Sequence, residues 1–358
     1  MKEIEEFIKI SKYAGERFDL IQAGGGNSSV KLKKDQMIIK ASGFLLSDVD
    51  EENGYSKVNT KKIANIINNS IIINEVNKGR RESLTFSLVQ DATIDKSKRP
   101  SIETLLHSIL HKYTLHTHPV VVNMIVVQKN WKEVLLSIFN DDKIALVDYY
   151  TPGIDLALEL NKSIQKLENI PKIIFLQNHG LIVTSESSQD ISLLTEYVLR
   201  KIESFLNIDM TRYKLTNKIT NLFNSISNNK NNNISYLSDD SYLNNQLNIN
   251  PELFNKKPFC PDGLVFCGLK CIKINNILKG DNILNYKLEN FSLPKVVIYE
   301  NNLFFIAKNI SKAKEMEEVM KFNIMVLEQN MNNNINFLEI EELKYLNNWE
   351  AEKYRQKL

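Results

Sequence analysis

The alternation of apolar and polar positions predicts strands and helices in turn over the first part of the chain, up to about residue 210. Residues 28–33 and 37–41 have the short apolar pattern of two strands, joined by a turn at Lys34-Asp35. Further strands are predicted at 114–118, 144–150, 172–177 and 180–185, and helices at 101–112, 156–167 and 188–206. This mixture indicates an α/β (mixed) fold class for the first domain.

The second part of the chain begins after a segment rich in Asn, Ser, Asp and Lys. We interpret residues 214–250 as a linker or a long loop, because such a composition buries too little apolar surface to form a core. The predicted domains are therefore 1–213 and 251–358, the second a smaller α/β unit. Within it, strands are predicted at 263–268, 295–300 and 303–308, and helices at 311–330 and 339–357.

A weak internal repeat connects the two parts. The hairpin and helix that start at Lys172 can be aligned with a similar segment that starts at Lys295. In this alignment Asn302 stands where the first copy has His179, and the following glycine is missing. No histidine occurs after His179, so the second domain is predicted to be a degenerate repeat without a metal site. Any hairpin followed by a helix would give a similar pattern, so coincidence remains the alternative.

Composition narrows the class of protein. The 358 residues are 43% hydrophobic, and 45 basic residues nearly balance 43 acidic ones. This balance gives no reason to expect binding to nucleic acid or to an anionic membrane. No apolar run approaches the ~20 residues of a membrane span, and the first residues lack the apolar region of a signal peptide. Three cysteines suit a reducing compartment, so a cytoplasmic location is expected.

The five histidines all lie between positions 107 and 179. His116 and His118 are two residues apart on a predicted strand, so their side chains point to the same face. His179 lies at a turn, where Gly180 allows close approach of the backbone. Three imidazoles with one open position are typical of a catalytic zinc site. The alternative for His179 is a turn histidine without a role.

Glu103 lies near the start of the helix that leads to His116, where a carboxylate could move a proton on a metal-bound substrate. His107 and His111 continue the same helix face. A stripe of histidines on a helix more often serves packing or lies on the surface, so we do not assign these two as ligands.

A glycine-rich segment, GGGNSS at 24–29, could direct backbone N–H groups at an anion. Other polar groups follow in KASG and beside Glu103. The predicted substrate and phosphate contacts are Gly26, Asn27, Ser28, Lys40, Ser42, Gly43 and Ser101. Taken alone, the glycines could equally form a flexible turn.

Together GGGNSS, KASG, PSIET, HTHP and QNHGLIV, in this order over roughly residues 1–207, resemble the class II aldolase/adducin superfamily. The pattern is most similar to the aldolase half of rhamnulose-phosphate aldolase/dehydrogenase fusions. The resemblance implies a central antiparallel sheet flanked by helices and a homo-oligomer, usually a tetramer. It also implies one zinc ion on His116, His118 and His179, with Glu103 as the acid/base residue.

The resemblance also implies a reaction and a substrate. We expect cleavage of a ketose 1-phosphate to dihydroxyacetone phosphate and an aldehyde, through a metal-stabilised enediolate. One departure concerns the phosphate: fuculose-phosphate aldolases have Ser-Ser-Glu where this chain has Ser101-Ile102-Glu103. A hydroxyl is missing, and Lys40 is a candidate to compensate for it.

Other functions fit the same motifs. An epimerase, a dehydratase or a decarboxylase could use the same zinc scaffold, because all stabilise a related anion. A non-enzymatic adducin-like assembly protein is the alternative from another class, and the intact histidine set opposes it. A purely structural metal site is disfavoured because no fourth Cys or His is assigned as a ligand beside the three histidines.

Overall fold

Two compact units, residues 1–210 and 211–358, make up the computed structural model of the chain. The structure describes residues 2–227, 233–290 and 292–348. The strands are β1 Asn27–Leu32, β2 Gln36–Lys40, β3 Tyr55–Asn59, β4 Tyr113–Thr117, β5 Ile144–Val147, β6 Ile173–Leu176, β7 Gly180–Ser185, β8 Ile234–Leu237, β9 Ile272–Lys273, β10 Val296–Tyr299 and β11 Asn302–Ala307. In the first unit the helices are α1 Lys2–Gly15, α2 Thr60–Ile67, α3 Ser70–Asn74, α4 Lys78–Ala92, α5 Thr104–Ser108, α6 Val120–Val126, α7 Trp131–Ile138, α8 Ile154–Gln165 and α9 Ser188–Leu206. In the second unit they are α10 Thr211–Ile226, α11 Ser241–Ile249, α12 Asp281–Asn290, α13 Ile310–Gln329 and α14 Ile340–Asn348.

A seven-stranded sheet forms the centre of the first unit, in the order β3-β2-β1-β4-β7-β6-β5. Its neighbouring strands are antiparallel except at one edge, where β5 and β6 are parallel. Apolar residues of α1, α6, α7 and α9 pack on one face, and those of α2, α4, α5 and α8 pack on the other. The mixed α/β class, with a central sheet flanked by helices, is confirmed.

Side chains alternate between these two layers along each strand. Phe175 of β6 packs with the layer that contains α1 and α9, whereas Ile174 and Leu176 pack with the layer that contains α5 and α8. β4 follows the same rule, because Leu115 packs with the layer that contains α1 and α9, and His116 faces the layer that contains α5 and α8. The sheet therefore presents His116 on the side where α5 lies.

Several predicted elements have different bounds or a different type. The helix predicted at 101–112 is only α5, Thr104–Ser108. It starts later than predicted because the Ser101 hydroxyl accepts a hydrogen bond from the Glu103 backbone N–H ahead of the helix. The strand predicted at 263–268 is wrong: Gly263–Cys267 forms a π-helical turn that ends at Gly268, whose φ is +80°. A short apolar run does not distinguish a buried strand from a buried helix.

The linker predicted at 214–250 is also wrong where the structure describes it. This segment carries most of α10, then β8 and α11, and Asp240 caps α11 by accepting from the Leu243 N–H. Buried apolar side chains such as Leu215 and Phe223 recur among the asparagines and anchor α10 to a core. Residues 228–232 of the predicted linker and residues 349–357 of the last predicted helix lie outside the described residues.

The second unit contains a four-stranded sheet in the order β8-β11-β10-β9. β11 is antiparallel to both of its neighbours, and β10 is parallel to β9. Four strands of the first unit, β4-β7-β6-β5, have the same order and the same relative directions as β8-β11-β10-β9 of the second unit. A helix follows the last strand in both units, since α9 starts at Ser188 after β7 and α13 starts at Ile310 after β11.

The hydrogen-bond registers of these two sets of four strands agree as well. In the first unit Ile182 pairs with Ile174 on one side and His116 on the other. In the second unit Phe304 pairs with Val297 and Leu237, so Leu237 occupies the position of His116.

The hairpin turn is one residue shorter in the second unit. Asn302 pairs with Tyr299 as Gly180 pairs with Leu176, which aligns Asn302 with Gly180 rather than with His179. These matches support the repeat, although the duplication itself stays a prediction.

None of the helices in the described part of the chain is long and apolar enough to span a lipid bilayer.

A test of the packing of α1 uses two helical glycines. A Cβ added at Gly15 would lie 2.2 Å from the Ser47 backbone nitrogen, whereas a Cβ at Gly79 would have only the Asn77 side chain near it, at 3.5 Å. We expect Gly15→Ala to destabilise the first unit by about 2 kcal/mol or more, because a backbone must move. Gly79→Ala, the control, is expected to be neutral or up to about 1 kcal/mol stabilising. Urea unfolding measures both, and a Gly15→Ala variant as stable as the wild type would contradict this packing.

Candidate metal centre

Three imidazoles meet where β4 ends beside the hairpin of β6 and β7. The Nε2 atom of His116 lies 3.1 Å from that of His118 and 3.2 Å from that of His179. The ligand atoms of all three residues lie within 4.8 Å of one another, as a single ion would require. The structure thus brings together the three histidines that the sequence predicted as metal ligands.

The backbone brings these residues close in two places. His118 follows the end of β4, and its N–H donates to the carbonyl oxygen of Leu20. A Cβ added at Gly180 would lie 2.3 Å from the carbonyl oxygen of Thr117, so only glycine fits where the hairpin of His179 passes β4. The sequence prediction of close backbone approach at Gly180 agrees with this geometry.

Burial keeps the three imidazoles neutral. It lowers the pKa of His116 well below the usual value, and the neighbouring histidines lower this pKa further. Burial likewise lowers the pKa of His118, and it lowers that of His179 to about 4. Neutral imidazoles keep a lone pair for a cation.

The tautomer of His116 follows from its hydrogen bond. Its Nδ1 donates to the carbonyl oxygen of Leu181 at 3.0 Å, which leaves the Nε2 lone pair directed at the other two rings. With Nε2 of His116 free to accept, three converging neutral imidazoles fit the donor set of a catalytic zinc ion.

Glu103 faces the same point from the start of α5. Its Oε1 lies 3.4 Å from Nε2 of His116 and 3.5 Å from Nε2 of His179. Burial raises the pKa of Glu103 to about 7, although a hydrogen bond from Asn27 and the charge of Lys40 lower it in part. A carboxyl group with a pKa near neutrality can both accept and donate a proton.

Asn27 connects Glu103 to the predicted anion contacts. It lies opposite His116 in the pairing of β1 with β4, and its Nδ2 contacts Ser101 Oγ and, at 3.4 Å, Glu103 Oε2. Its Oδ1 is buried without a hydrogen-bond partner among the described residues. Asn27 and Ser101 therefore lie beside Glu103 and the three histidines, while their role as anion contacts stays a prediction.

The other predicted anion contacts divide into buried and exposed groups. Lys40 is only 3% exposed, and its Nζ donates to the carbonyl oxygens of Gly24 at 3.2 Å and Phe44 at 2.7 Å. This ammonium group holds two loops together. Ser42 and Gly43 lie in an exposed turn after β2, whereas Gly26 packs against Ile21 and the backbone of β4.

Ser28 is a correction to the predicted contacts. Its hydroxyl is fully buried and lies 2.7 Å from the hydroxyl of Ser11 in α1. Alternation along β1 sends Asn27 and Ser29 to the side of α5 and sends Ser28 to the opposite side. The Ser28 side chain is therefore not available to an anion.

The two remaining histidines lie outside the group of three. His107 is fully buried, and its Nδ1 shares a hydrogen bond with Ser29 Oγ at 2.7 Å. His111 contacts Glu186 and the carbonyl oxygen of Ile170. Both contacts agree with the packing and surface roles predicted for them.

One charged residue near this site was missed from the sequence. Arg99 precedes the predicted contact Ser101 by two positions, and its carbonyl oxygen accepts a hydrogen bond from the Ser42 N–H. The sequence shows only a basic residue before a proline. Its nearness to Ser42 follows from a contact between distant segments, which no local pattern reveals.

Comparison with known proteins gives one curated relative and several solved structures. An uncharacterized oxidoreductase of Bacillus subtilis (strain 168), YuxG, is 25% identical over an alignment of 224 residues that covers 60% of this chain. The chain spans about a third of the length of this relative, 31%.

Two solved structures are similar over 57% of this chain. The N-terminal class II aldolase domain of a conserved protein from Thermoplasma acidophilum is 21% identical, with 93% of that chain covered and a TM-score of 0.49. A sugar-phosphate aldolase from Thermotoga maritima is 16% identical, with 94% covered and a TM-score of 0.40.

A family model gives the decisive match. The model of the Class II Aldolase and Adducin N-terminal domain matches residues 5–204. This segment includes the three histidines, Glu103 and every predicted anion contact, and it is more than half of the chain. The protein belongs to the class II aldolase and adducin family.

Proposed function

We propose that the first unit is a zinc-dependent aldolase that cleaves a ketose 1-phosphate into dihydroxyacetone phosphate and an aldehyde. The observation that carries the proposal is the approach of the Glu103 carboxylate, within 3.5 Å, to two of three converging imidazole nitrogens. An aldolase needs these two parts together: a cation site for substrate oxygens and a proton-transfer group beside it.

His116, His118 and His179 would hold the zinc ion, which supplies Lewis acidity to stabilise negative charge on substrate oxygens. Glu103 would take the proton from the carbon that becomes the nucleophile in aldol formation, and would return it in cleavage. Asn27 donates to Glu103 Oε2 and so holds this carboxylate in place. Burial of the group excludes water, which strengthens each of these electrostatic contacts.

An epimerase, dehydratase or decarboxylase on the same scaffold remains the alternative reaction, because each also needs a cation and a proton-transfer group. An adducin-like assembly role would need neither the neutral imidazoles nor the buried carboxyl group. The tetramer and the cytoplasmic location stay predictions from the sequence.

A retro-aldol assay tests the proposal most directly. The purified protein is incubated with a panel of ketose 1-phosphates, and released dihydroxyacetone phosphate is measured by a coupled reduction. Release from at least one member supports the aldolase. Conversion of a substrate to an isomer or a dehydrated product, with no three-carbon fragment, would favour the alternative reactions.

Metal content gives the first variant test. We expect about one zinc per chain in the wild type, since the three imidazoles form one open site. His179→Ala should reduce bound zinc and activity by about tenfold or more while the unfolding midpoint stays close to that of the wild type. His111→Ala, which changes a histidine paired with Glu186, is the control. Elemental analysis after dialysis measures the zinc, and full occupancy in His179→Ala would refute the assigned ligands.

Glu103→Gln separates proton transfer from metal binding. The amide keeps the shape of the side chain but takes up no proton, so turnover should fall by about 10²-fold or more with zinc retained. Steady-state kinetics and zinc content are measured on the same preparation. Unchanged turnover would show that another group moves the proton.

A further inference from the structure

Lys40 is the one cation among the predicted anion contacts, and little of it is available to an anion. Its ammonium group is buried and already donates to two carbonyl oxygens, so only one of its three N–H donors is left for an anion. Ile102 stands where fuculose-phosphate aldolases have a second hydroxyl, and its side chain is 51% exposed. A doubly charged phosphate group therefore needs another positive partner.

Backbone pairing brings Arg99 to this site. An isolated antiparallel bridge joins Ala41 to Pro100, and the Ser42 N–H donates to the Arg99 carbonyl oxygen at 2.9 Å. Around such a bridge Ser42 lies opposite Arg99, just as Lys40 lies opposite Ser101. Opposite residues of an antiparallel pair project from the same face. The bridge therefore places Arg99 in one row with three predicted anion contacts.

Arg99 and Ser101 also line one groove of about 320 Å³, which is a volume typical of small-ligand sites. The Arg99 guanidinium lies 4.3 Å from the centre of the Phe86 ring, and Phe86 remains 44% exposed. Stacking on a ring leaves the edge of the guanidinium, with its N–H donors, open to a ligand.

The acidic residue of the groove does not neutralise Arg99. Glu82 lines the same groove, but its carboxylate oxygens lie beside Gly153, each 3.1 Å from the position of a Cβ added there. Over the described ranges, no carboxylate lies within ion-pair distance of Arg99. The positive charge at this end of the groove is therefore not neutralised by an ion pair.

We propose that Arg99 anchors the anionic group of the substrate, with the hydroxyl of Ser101 on the side of the metal centre. The inference rests on the proposed function, since it takes the ligand to be a phosphomonoester. Ser101 Oγ contacts Asn27, which contacts Glu103, so a phosphate group held by Arg99 and Ser101 would place its neighbouring carbons towards the carboxylate. A guanidinium suits this role because its planar fork pairs with two phosphate oxygens.

The test compares Arg99→Met with the wild type by calorimetric titration of zinc-loaded protein with dihydroxyacetone phosphate. Methionine keeps the packing on Phe86 but removes the charge, so affinity should fall about tenfold or more. Dihydroxyacetone, which lacks the phosphate group, should bind both proteins equally. Arg99→Lys should recover part of the affinity. Lys98→Met is the matched control, because the Lys98 ammonium donates to the Glu52 backbone carbonyl oxygen and to Asn53 Oδ1 instead.

Each outcome decides one of the two claims. If Arg99→Met binds dihydroxyacetone phosphate within twofold of the wild type, Arg99 is not the anchor, whether or not the protein is an aldolase. If the wild type binds dihydroxyacetone phosphate through Arg99 yet releases none from any ketose 1-phosphate, the anchor stands and the aldolase proposal fails. A wild type that binds neither dihydroxyacetone phosphate nor inorganic phosphate would overturn the anchor. Unfolding midpoints and zinc content of the variants show that the comparison is between folded, loaded proteins.

Discussion

The hydrogen bonds that hold β4 between β1 and β7 are the constraint on which the candidate site depends. The register between β1 and β4 places Asn27 opposite His116. The register between β4 and β7 places Leu181 opposite Thr117, so the turn that carries His179 passes the end of β4. A slip of one residue in either pairing would turn His116 into the layer of α1 and α9. Buried apolar side chains on both faces of these strands prevent such a slip. The same hydrogen bonds therefore determine the packing of the core and the geometry of the imidazoles.

Burial then has two effects at one point. It removes water from His116, His118 and His179, so these rings stay uncharged and present lone pairs to one another. It also destabilises the charged form of Glu103, so this carboxyl group keeps a proton up to a pH near 7. Neutral imidazoles that converge are well suited to a divalent cation, and the charge of such a cation would favour the ionised form of Glu103.

The sequence predicted these features where the signal is local. The hairpin of β1 and β2, the strand β4 and the long helix α9 have strong periodicity, and the spacing of His116 and His118 alone implies a shared face. Prediction failed where neighbours come from distant segments. Arg99 reaches the site through the Ala41–Pro100 bridge, and the hydroxyl of Ser28 is taken up by Ser11. The helices α10 and α11 were missed because many asparagines dilute their apolar pattern. Alternation along β1 would have excluded Ser28 from the sequence alone.

The strand pattern shared by the two units divides the candidate site in two. The three candidate metal ligands lie in the portion from β4 to α9, which the second unit matches in strand order and register, with Leu237 in the apolar core at the position of His116. Glu103, Asn27 and Lys40 lie before β4, and the four-stranded sheet described in the second unit has no counterpart of β1 to β3. The three histidines and the proposed proton-transfer group therefore come from different parts of the first unit. A sheet with only the strand order β8-β11-β10-β9 could bring three histidines together but would lack the strand that holds Asn27 beside Glu103.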